Sequence, residues 1–465
     1  MGTRVTGPLA QPVGNPGFNR GAAGPGPAAA APGTRPPGAR GTTRLGSDSL
    51  MLAGGGAGPS ALRPGNRSQA ADLFRQRHGA ALQRLDPPRQ EALDKVLGAY
   101  GDPANAGRFG HLADKLPGRT YQDLGKLLEN GTLSKPDRYG RTMVETLAAR
   151  VEQPLHESLR GKVDPLYAIS DLVAVTAHPE TVYQGQGTRT CAAATIQSTF
   201  AQAAPADFAR FSTDLLFDGS AAGLGGGQIK LSARELLDRE EGKDTGRGPF
   251  NALVQGSLSD FARETVPDDA EPADNRNTFA ELAGLAGSDY EGGRLGGGRS
   301  YGGGRLGARR TFGGGRLGGS RQYGGVDDPG GLTEAQIQGL AGKVLGIGTH
   351  IVSPGEFQGL AGAISSAYEM DASRSRGPLS FLLPRDTKAA GQVGMAAKTA
   401  VLGRIAQSRS VMAGVQTPEG TFHQVRVLGE QGGKIRYFDP GTGRIDAISA
   451  REFWERAQTF IVQHR

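Results

Sequence analysis

The chain has 465 residues, of which 75 are Gly and 28 are Pro, and its formal net charge is +7. This much Gly and Pro predicts that part of the chain does not fold. A single Cys excludes an intramolecular disulfide and a multi-cysteine zinc or iron–sulfur site, so no metal or other cofactor is expected. No run of 18 apolar residues occurs, which argues against a membrane span.

The positive charge is concentrated in two low-complexity segments. Residues 1–70 carry seven Arg and one Asp, and residues 291–325 carry seven Arg and one Glu, which leaves a net charge of −5 for the remainder. A nucleic-acid-binding fold carries its positive charge on the folded surface. We therefore expect no specific nucleic-acid partner.

Residues 1–68 are predicted to be a disordered tail, because a segment this rich in Gly, Pro and Ala buries too little apolar surface to offset the entropy of ordering. A linker or solubility tail and an export or docking signal are both compatible with it. The N-terminus lacks the apolar core of a signal peptide, so we expect either the cytoplasm or a specialised export route.

Residues 69–180 follow helical patterns and predict about five helices. PPRQEALDKVLGAYG starts with Pro in a first-turn position and ends at Gly. In TYQDLGKLLENG, Thr120 is the predicted N-cap, and a row of Leu residues marks one face. This region is interpreted as an accessory domain or pro-domain, or as helices that pack against the residues after them.

Residues 181–465 predict an α+β domain. Helical segments come first, and SVMAGVQT, HQVRVLGEQ and KIRYFDP then alternate or run apolar, with Gly-containing turns between them. A short helix, SAREFWERAQ, and a strand, FIVQH, end the chain. Helices followed by an antiparallel sheet indicate an α+β fold.

An internal repeat, residues 290–325, interrupts this domain. Tyr290, Tyr301, Phe312 and Tyr323 are 11 residues apart, and a copy of GGRLG follows each of the first three. So much Gly excludes a supercoiled helix of that period. We predict a flexible Arg/Gly/aromatic insert, either a linker between two halves of one domain or a segment that binds RNA or a membrane surface weakly.

Cys191 follows the polar, Gly-rich loop YQGQGTRT and precedes three Ala residues, so a helix is predicted to begin there. The first turn of a helix presents free N–H groups and the positive end of the dipole, which stabilise a thiolate. Gln184 and Gln186 are both candidates to donate a side-chain N–H to an oxyanion, with Gln186 preferred. The alternative for Cys191 is a small buried residue of the core.

His423 is the candidate base among seven histidines, since it begins the strand HQVRVLG. Asp439 ends the next strand, 16 residues later. Two antiparallel strands joined by a tight turn bring these ends together. A carboxylate there fixes the imidazole tautomer and favours its protonated form. The alternatives are a surface His and an Asp that only begins an Asp-Pro-Gly turn.

This combination resembles the papain-like cysteine peptidases, in particular the bacteriocin-processing and effector types of bacteria. The resemblance rests on Gln-Gly before a Cys at a helix start, His-x-Val-x-Val at a strand start, and a strand that ends in Asp-Pro. It implies a helical lobe with Cys191 as nucleophile and a sheet lobe with His423 as base and acid and Asp439 as orienting group. Gln186 or Gln184 would be the oxyanion donor.

Three functions follow as hypotheses. The first is a thiol peptidase that acts on a protein or peptide substrate through an acyl-enzyme, as a bacterial effector or a self-processing enzyme. The second is acyl transfer or deamidation at the same site. The third is a non-enzymatic binding protein whose Arg/Gly insert contacts RNA.

Overall fold

The structure is a computed structural model and describes a defined set of residues: 67–112, 115–185, 188–234, 236, 246–267, 331–352, 354, 390–408, 410–417 and 421–463. All of them belong to one compact unit. The predicted tail, apart from residues 67–68, and the repeat insert lie outside the described residues, as does Gln186. Among the described helices, none is long and apolar enough to cross a membrane.

The first part of the described chain is helical, as predicted. Asp86 accepts from the backbone N of Arg89 at 3.1 Å and begins one helix, and Asp164 accepts from the N of Leu166 at 2.8 Å and begins another. The helices are α1 Arg67–Arg77, α2 Gly79–Leu82, α3 Pro87–Gly101, α4 Leu116–Glu129, α5 Met143–Arg150 and α6 Pro165–Ala177.

The predicted N-cap at Thr120 is wrong. Helix α4 begins four residues earlier, at Leu116, with Pro117 in its first turn. Proline fits that position because its missing N–H has no partner within the helix. Thr120 lies inside the helix, fully buried, and its hydroxyl donates to the carbonyl of Leu116 at 2.8 Å.

The next helices pack on the first group. They are α7 Cys191–Ala203, α8 Pro205–Asp218, α9 Pro249–Thr265 and α10 Glu334–Leu345, and a small antiparallel pair, β1 Ser220–Ala222 and β2 Gln228–Lys230, follows α8. Helix α8 packs against α5, α6 and α7. One core contains side chains of both groups, including Leu93, Leu147 and Phe208. Residues 69–180 therefore share their core with the later helices.

Helices α9 and α10 pack against each other although more than sixty residues separate them in the sequence. Thr333 begins α10 in a capping box with Gln336. The side-chain Nε2 of Gln336 also donates to the carbonyl of Val266, just after α9, at 3.0 Å. The end of one helix and the start of the other are thus joined directly.

The remaining strands form one antiparallel sheet of order β3-β8-β4-β5-β6-β7. The strands are β3 Thr349–Val352, β4 Val411–Gln416, β5 Phe422–Gln431, β6 Lys434–Asp439, β7 Arg444–Ser449 and β8 Ala457–Gln463. Helices α11 Ala390–Ser408 and α12 Ala450–Arg456 lie on one face, and α7 lies on the other. The described part is thus a mixed α+β fold. The strands predicted as β4, β5, β6 and β8 are confirmed, whereas β3 and β7 were not predicted.

The register of β5 and β6 brings the predicted strand ends together. Arg426 lies opposite Phe438, so one step further Asp439 lies opposite Val425. His423 is two residues before Val425 and therefore shares its face, as a diagonal neighbour of Asp439. Helix α7 begins at Cys191, as predicted.

The shared core predicts that the helical and sheet parts unfold together. Leu147→Ala removes a fully buried side chain from α5 and should cost roughly 2–5 kcal/mol of unfolding free energy. The single Trp, Trp454 in α12, reports on the opposite side of the sheet. In urea titrations, its fluorescence transition should move to lower urea together with the far-UV circular dichroism.

Leu73→Ala is the matched control, because Leu73 is 55% exposed and should leave both transitions in place. If Leu147→Ala shifted the circular dichroism transition but left the fluorescence transition of Trp454 at its wild-type urea concentration, the two parts would not unfold as a single cooperative unit.

Candidate active site

Cys191 is the first residue of α7, and its thiol is free and 2% exposed. Ala192, Ala193 and Ala194 follow it, all fully buried, and their small side chains let α7 approach the sheet closely. One turn along, Thr195 Oγ1 donates to the carbonyl of Gln424 in β5 at 3.2 Å. That contact places the start of α7 beside the start of β5.

His423 and Asp439 form a hydrogen-bonded pair. His423 Nε2 lies 2.5 Å from Asp439 Oδ1, and the backbone N of Gly441 donates to the same oxygen at 2.7 Å. Burial by itself would raise the pKa of the Asp439 carboxyl, but the hydrogen bond and charge of His423 and the backbone N–H groups of Gly441 and Thr442 lower it. Asp439 is therefore a carboxylate at neutral pH.

The imidazole of His423 connects this carboxylate to the thiol. Burial by itself would lower the pKa of His423, but hydrogen bonds with Asp439 and Cys191 and the negative charge on both raise it to about 10. Since Nε2 faces Asp439, Nδ1 is the ring nitrogen available to Cys191. A protonated imidazole between a carboxylate and a sulfur atom is the arrangement that keeps a thiol ready as a thiolate.

Gln184 lies beside this group through its backbone. Its N donates to the carbonyl of Pro440 at 2.9 Å, and its own carbonyl accepts from the hydroxyls of Thr188 and Thr190. Its side-chain Oε1 is buried and lacks a hydrogen-bond partner among the residues that the structure describes. The loop before Cys191 is thus attached to the turn after Asp439. Gln186 lies outside the described residues, so the choice between the two glutamines stays a prediction.

A polar cluster under this loop was not predicted from the sequence. Arg247 and Gln255 are 2% and 0% exposed, and Arg247 Nη1 donates to Thr190 Oγ1 at 3.0 Å. The two partners are 57 positions apart, and Arg247 stands in an unremarkable segment, RGPF, before α9. No pattern in the sequence marks such a contact. Gly441 was missed as well, although the turn that contains it was recognised.

Other histidines have partners elsewhere in the fold. Hydrogen bonds or ion pairs join His78 to Glu129, His156 to Ser158, and His178 to Asp123 and Glu180. The last two carboxylates raise the pKa of His178 to about 9. His111, His350 and His464 have side chains outside the described set. His423 is the described histidine that contacts the cysteine.

No protein-family model, curated protein or solved structure that was compared with the chain matches it. Within the described ranges, no three or more His, Cys, Asp and Glu side chains are grouped so that they would hold a metal ion. The chemistry of the site is therefore inferred from its own geometry.

Asp439→Asn tests the electrostatics of the pair. The variant removes the carboxylate charge that raises the pKa of His423, so this pKa, followed by NMR, should fall. One unit of pKa corresponds to about 1.4 kcal/mol of interaction with the charged imidazolium, which is a factor of about ten in an equilibrium. Because the imidazolium that pairs with the sulfur loses this stabilisation, alkylation of Cys191 by iodoacetamide at pH 6 should slow by roughly tenfold. Asp446→Asn is the control, since Asp446 contacts Thr442 and not His423. Equal rates for wild type and Asp439→Asn would contradict the assignment.

The same variant should change how stability depends on pH. The pKa of Asp439 is lowered from 3.8 and that of His423 is raised from 6.5 to about 10. The pair therefore stabilises the fold fully between pH 3.8 and 6.5, and this contribution is lost as pH rises through 10 or falls below 3.8. The difference in unfolding free energy between wild type and Asp439→Asn should be largest inside that window.

Gly441→Ala tests the close packing around the pair. A Cβ at Gly441 would lie 3.0 Å from Asp439 Oδ1 and 3.1 Å from His423 Cε1, so the ring and the carboxylate would have to shift by a few tenths of an ångström and their hydrogen bond would be disturbed. We expect roughly tenfold slower alkylation of Cys191 at pH 6, from the same loss of charge pairing. Gly98→Ala in α3 is the control, because an added Cβ there meets nothing within 4 Å. A normal rate in Gly441→Ala would show that the pair tolerates displacement.

Proposed function

We propose that the chain is a papain-like cysteine peptidase that hydrolyses amide bonds of a protein or peptide substrate. One observation carries the proposal: the imidazole of His423 bonds to the thiol of Cys191 and, through Nε2, to the carboxylate of Asp439. The position of Cys191 at the first turn of a buried helix supports it, because free N–H groups there favour negative charge.

The reaction would run in two halves. The Cys191 thiolate attacks the carbonyl carbon of the scissile bond, and the C=O electron pair moves to oxygen. The backbone N–H of Cys191 and a side-chain amide, from Gln184 or Gln186, would stabilise this oxyanion. The oxyanion then reforms the carbonyl, the C–N bond breaks, and the imidazolium of His423 gives its proton to the leaving nitrogen. A thioester with Cys191 remains.

Water completes the cycle. Neutral His423 takes a proton from a water molecule as that water attacks the thioester carbon. The second tetrahedral intermediate collapses, the C–S bond breaks, and the acid product leaves Cys191 as a thiolate. Asp439 does not transfer a proton; it holds the ring in one tautomer and stabilises the imidazolium.

The elements that carry the three residues also support a papain-like arrangement. Cys191 begins a helix, and His423 and Asp439 lie on neighbouring strands of an antiparallel sheet. We further propose that the enzyme is a bacterial effector or processes its own chain. If an amine instead of water attacked the same thioester, the reaction would be acyl transfer. If the substrate were the side-chain amide of a glutamine instead of a peptide bond, hydrolysis would be deamidation.

The test is a time course of intact mass for the full chain. Wild type should show self-cleavage or should cleave peptides from a diverse library, whereas Cys191→Ala and His423→Gln should show neither. His156→Gln is the matched control and should behave as wild type. A mass change of about one dalton, or cross-linked products, would assign deamidation or acyl transfer to the site instead.

Labelling of the thiol gives a second readout, since Cys191 is the single cysteine. A peptide-like electrophile should label the folded protein much faster than it labels a free thiol at neutral pH. No cleavage, no transfer and labelling no faster than that of a free thiol would overturn the proposal.

A further inference from the structure

One buried arginine connects the three elements that carry the proposed catalytic residues. Arg426 lies on β5, three positions after His423, and is 5% exposed. Its Nη1 donates to the carbonyl of Ser198 on α7 at 3.2 Å. Its guanidinium lies over the ring of Phe438 on β6, 5.6 Å from the ring centroid, and Phe438 immediately precedes Asp439. A single side chain on β5 thus reaches both α7 and β6.

This arginine is buried at an energetic cost. Burial lowers the pKa of Arg426 to about 10, although the negative charge of Glu180 opposes that shift, so the guanidinium stays protonated at neutral pH. Its Nε is buried and lacks a hydrogen-bond partner among the residues that the structure describes. An apolar side chain of similar length would avoid the desolvation of a charge. Stability alone therefore does not explain an arginine at this position.

Arg426 supplies the second of two contacts along α7, after the hydrogen bond of Thr195 to β5. Thr195 and Ser198 lie about 6 Å and about 10 Å from Cys191 along the helix axis. With the first contact alone, α7 could pivot at Thr195, and a shift of about 1 Å at Ser198 would move Cys191 by roughly 1.3 Å the other way. Since a hydrogen bond is made only within a narrow range of distances, such a movement would break the contact between the thiol and the imidazole.

Ser198 is also bound to the helical part of the fold. Its Oγ donates to the carbonyl of Pro179 at 2.6 Å, and Pro179 begins the short turn Pro179–Thr181 that precedes the loop before Cys191. The middle of α7 is therefore attached to the sheet through Arg426 and to the helical part through its own hydroxyl.

We propose that Arg426 is a positioning residue of the catalytic site: it holds α7 against β5 and β6 so that the thiol of Cys191 meets the imidazole of His423. This inference rests on the proposed function, because it gives the meeting of these two groups a role in a reaction. The hydrogen bond of Arg426 goes to Ser198, so Arg426 acts through the helix and not on the reacting atoms.

The pKa of His423 reports whether the contact is made. In the described part of the chain, Asp439 on β6 and Cys191 on α7 raise this pKa. Glu180 acts on the guanidinium from the turn before the loop and is paired with His178. Loss of the guanidinium charge by itself would raise the pKa of a nearby imidazole, whereas loss of the contact with Cys191 lowers it. The direction of the change therefore separates the two effects.

The test is an NMR titration of the His423 ring in the full chain, with its signal assigned by its loss in His423→Gln. Cys191→Ala removes the thiol and should lower the pKa of His423 by roughly one unit, as expected for a lost hydrogen bond to a charged group. Arg426→Met removes the guanidinium, keeps a long side chain and should produce most of the same fall. Added to Cys191→Ala, it should produce no further fall, because the contact is already absent.

Arg210→Met is the control for loss of an arginine elsewhere in the fold. The side chain of Arg210, on α8, is 12% exposed and binds Asp137, Asp207 and Asp214. This variant should lower the free energy of unfolding and leave the pKa of His423 in place. An equal fall of that pKa in Arg210→Met would show a general loosening of the core and would overturn the inference.

Arg426→Gln keeps the test decisive where Arg426→Met does not fold. Its amide ends near the position of the arginine Nε, short of the Ser198 carbonyl, so the same fall is expected. If Cys191→Ala lowers the pKa of His423 and the Arg426 variants do not, the inference fails and the proposed function stands. An equal effect of Arg426→Met with and without the thiol has the same meaning. An unchanged pKa in Cys191→Ala would refute the proposed function, and the inference with it.

Discussion

The packing of α7 on β5 is the contact on which the site depends. Two hydrogen bonds define it: Thr195 Oγ1 donates to the Gln424 carbonyl, and Arg426 Nη1 donates to the Ser198 carbonyl, each at 3.2 Å. They fix both the distance of the helix from the sheet and its position along the strand. Because Cys191 is one turn before Thr195 and His423 is next to Gln424, the thiol and the imidazole meet as a result of this packing. The alanines after Cys191 make the approach sterically feasible.

Buried charge is concentrated where the chemistry is proposed. His423 and Arg247 are both held as cations in places where burial opposes their charge. Hydrogen bonds to groups on three separate segments compensate for that opposition: the end of β6, the loop before α7, and α9. Such networks are costly when one member is lost. Stability and reactivity of this site are therefore coupled, and changes to its supporting residues should affect both.

Local sequence patterns made much of the fold predictable. The segments of β5 and β6 alternate or run apolar and are joined at a Gly-Gly turn, so their existence and the neighbouring positions of His423 and Asp439 followed from the sequence. Strand β7 was missed because this edge strand has an apolar residue, Ile445, on its exposed side, which obscures the alternation. Thr120 was misplaced since a Pro and a Thr both fit a helix start. The contacts of Arg247 depend on residues far apart in the sequence, and single-sequence patterns carry no signal for them.

The junction of α9 and α10 has a consequence for how this chain tolerates change in length. Gln336 donates a hydrogen bond to the carbonyl of Val266. This contact holds together the two helices before and after the Gly/Arg repeats, and it does not require a particular number of repeats. The entropy of closing a flexible loop grows only with the logarithm of its length, by about 0.6 kcal/mol for each doubling. For the flexible insert that the sequence predicts, gain or loss of one 11-residue unit would therefore barely alter stability, and repeat number would be free to drift or to be selected for a purpose separate from folding.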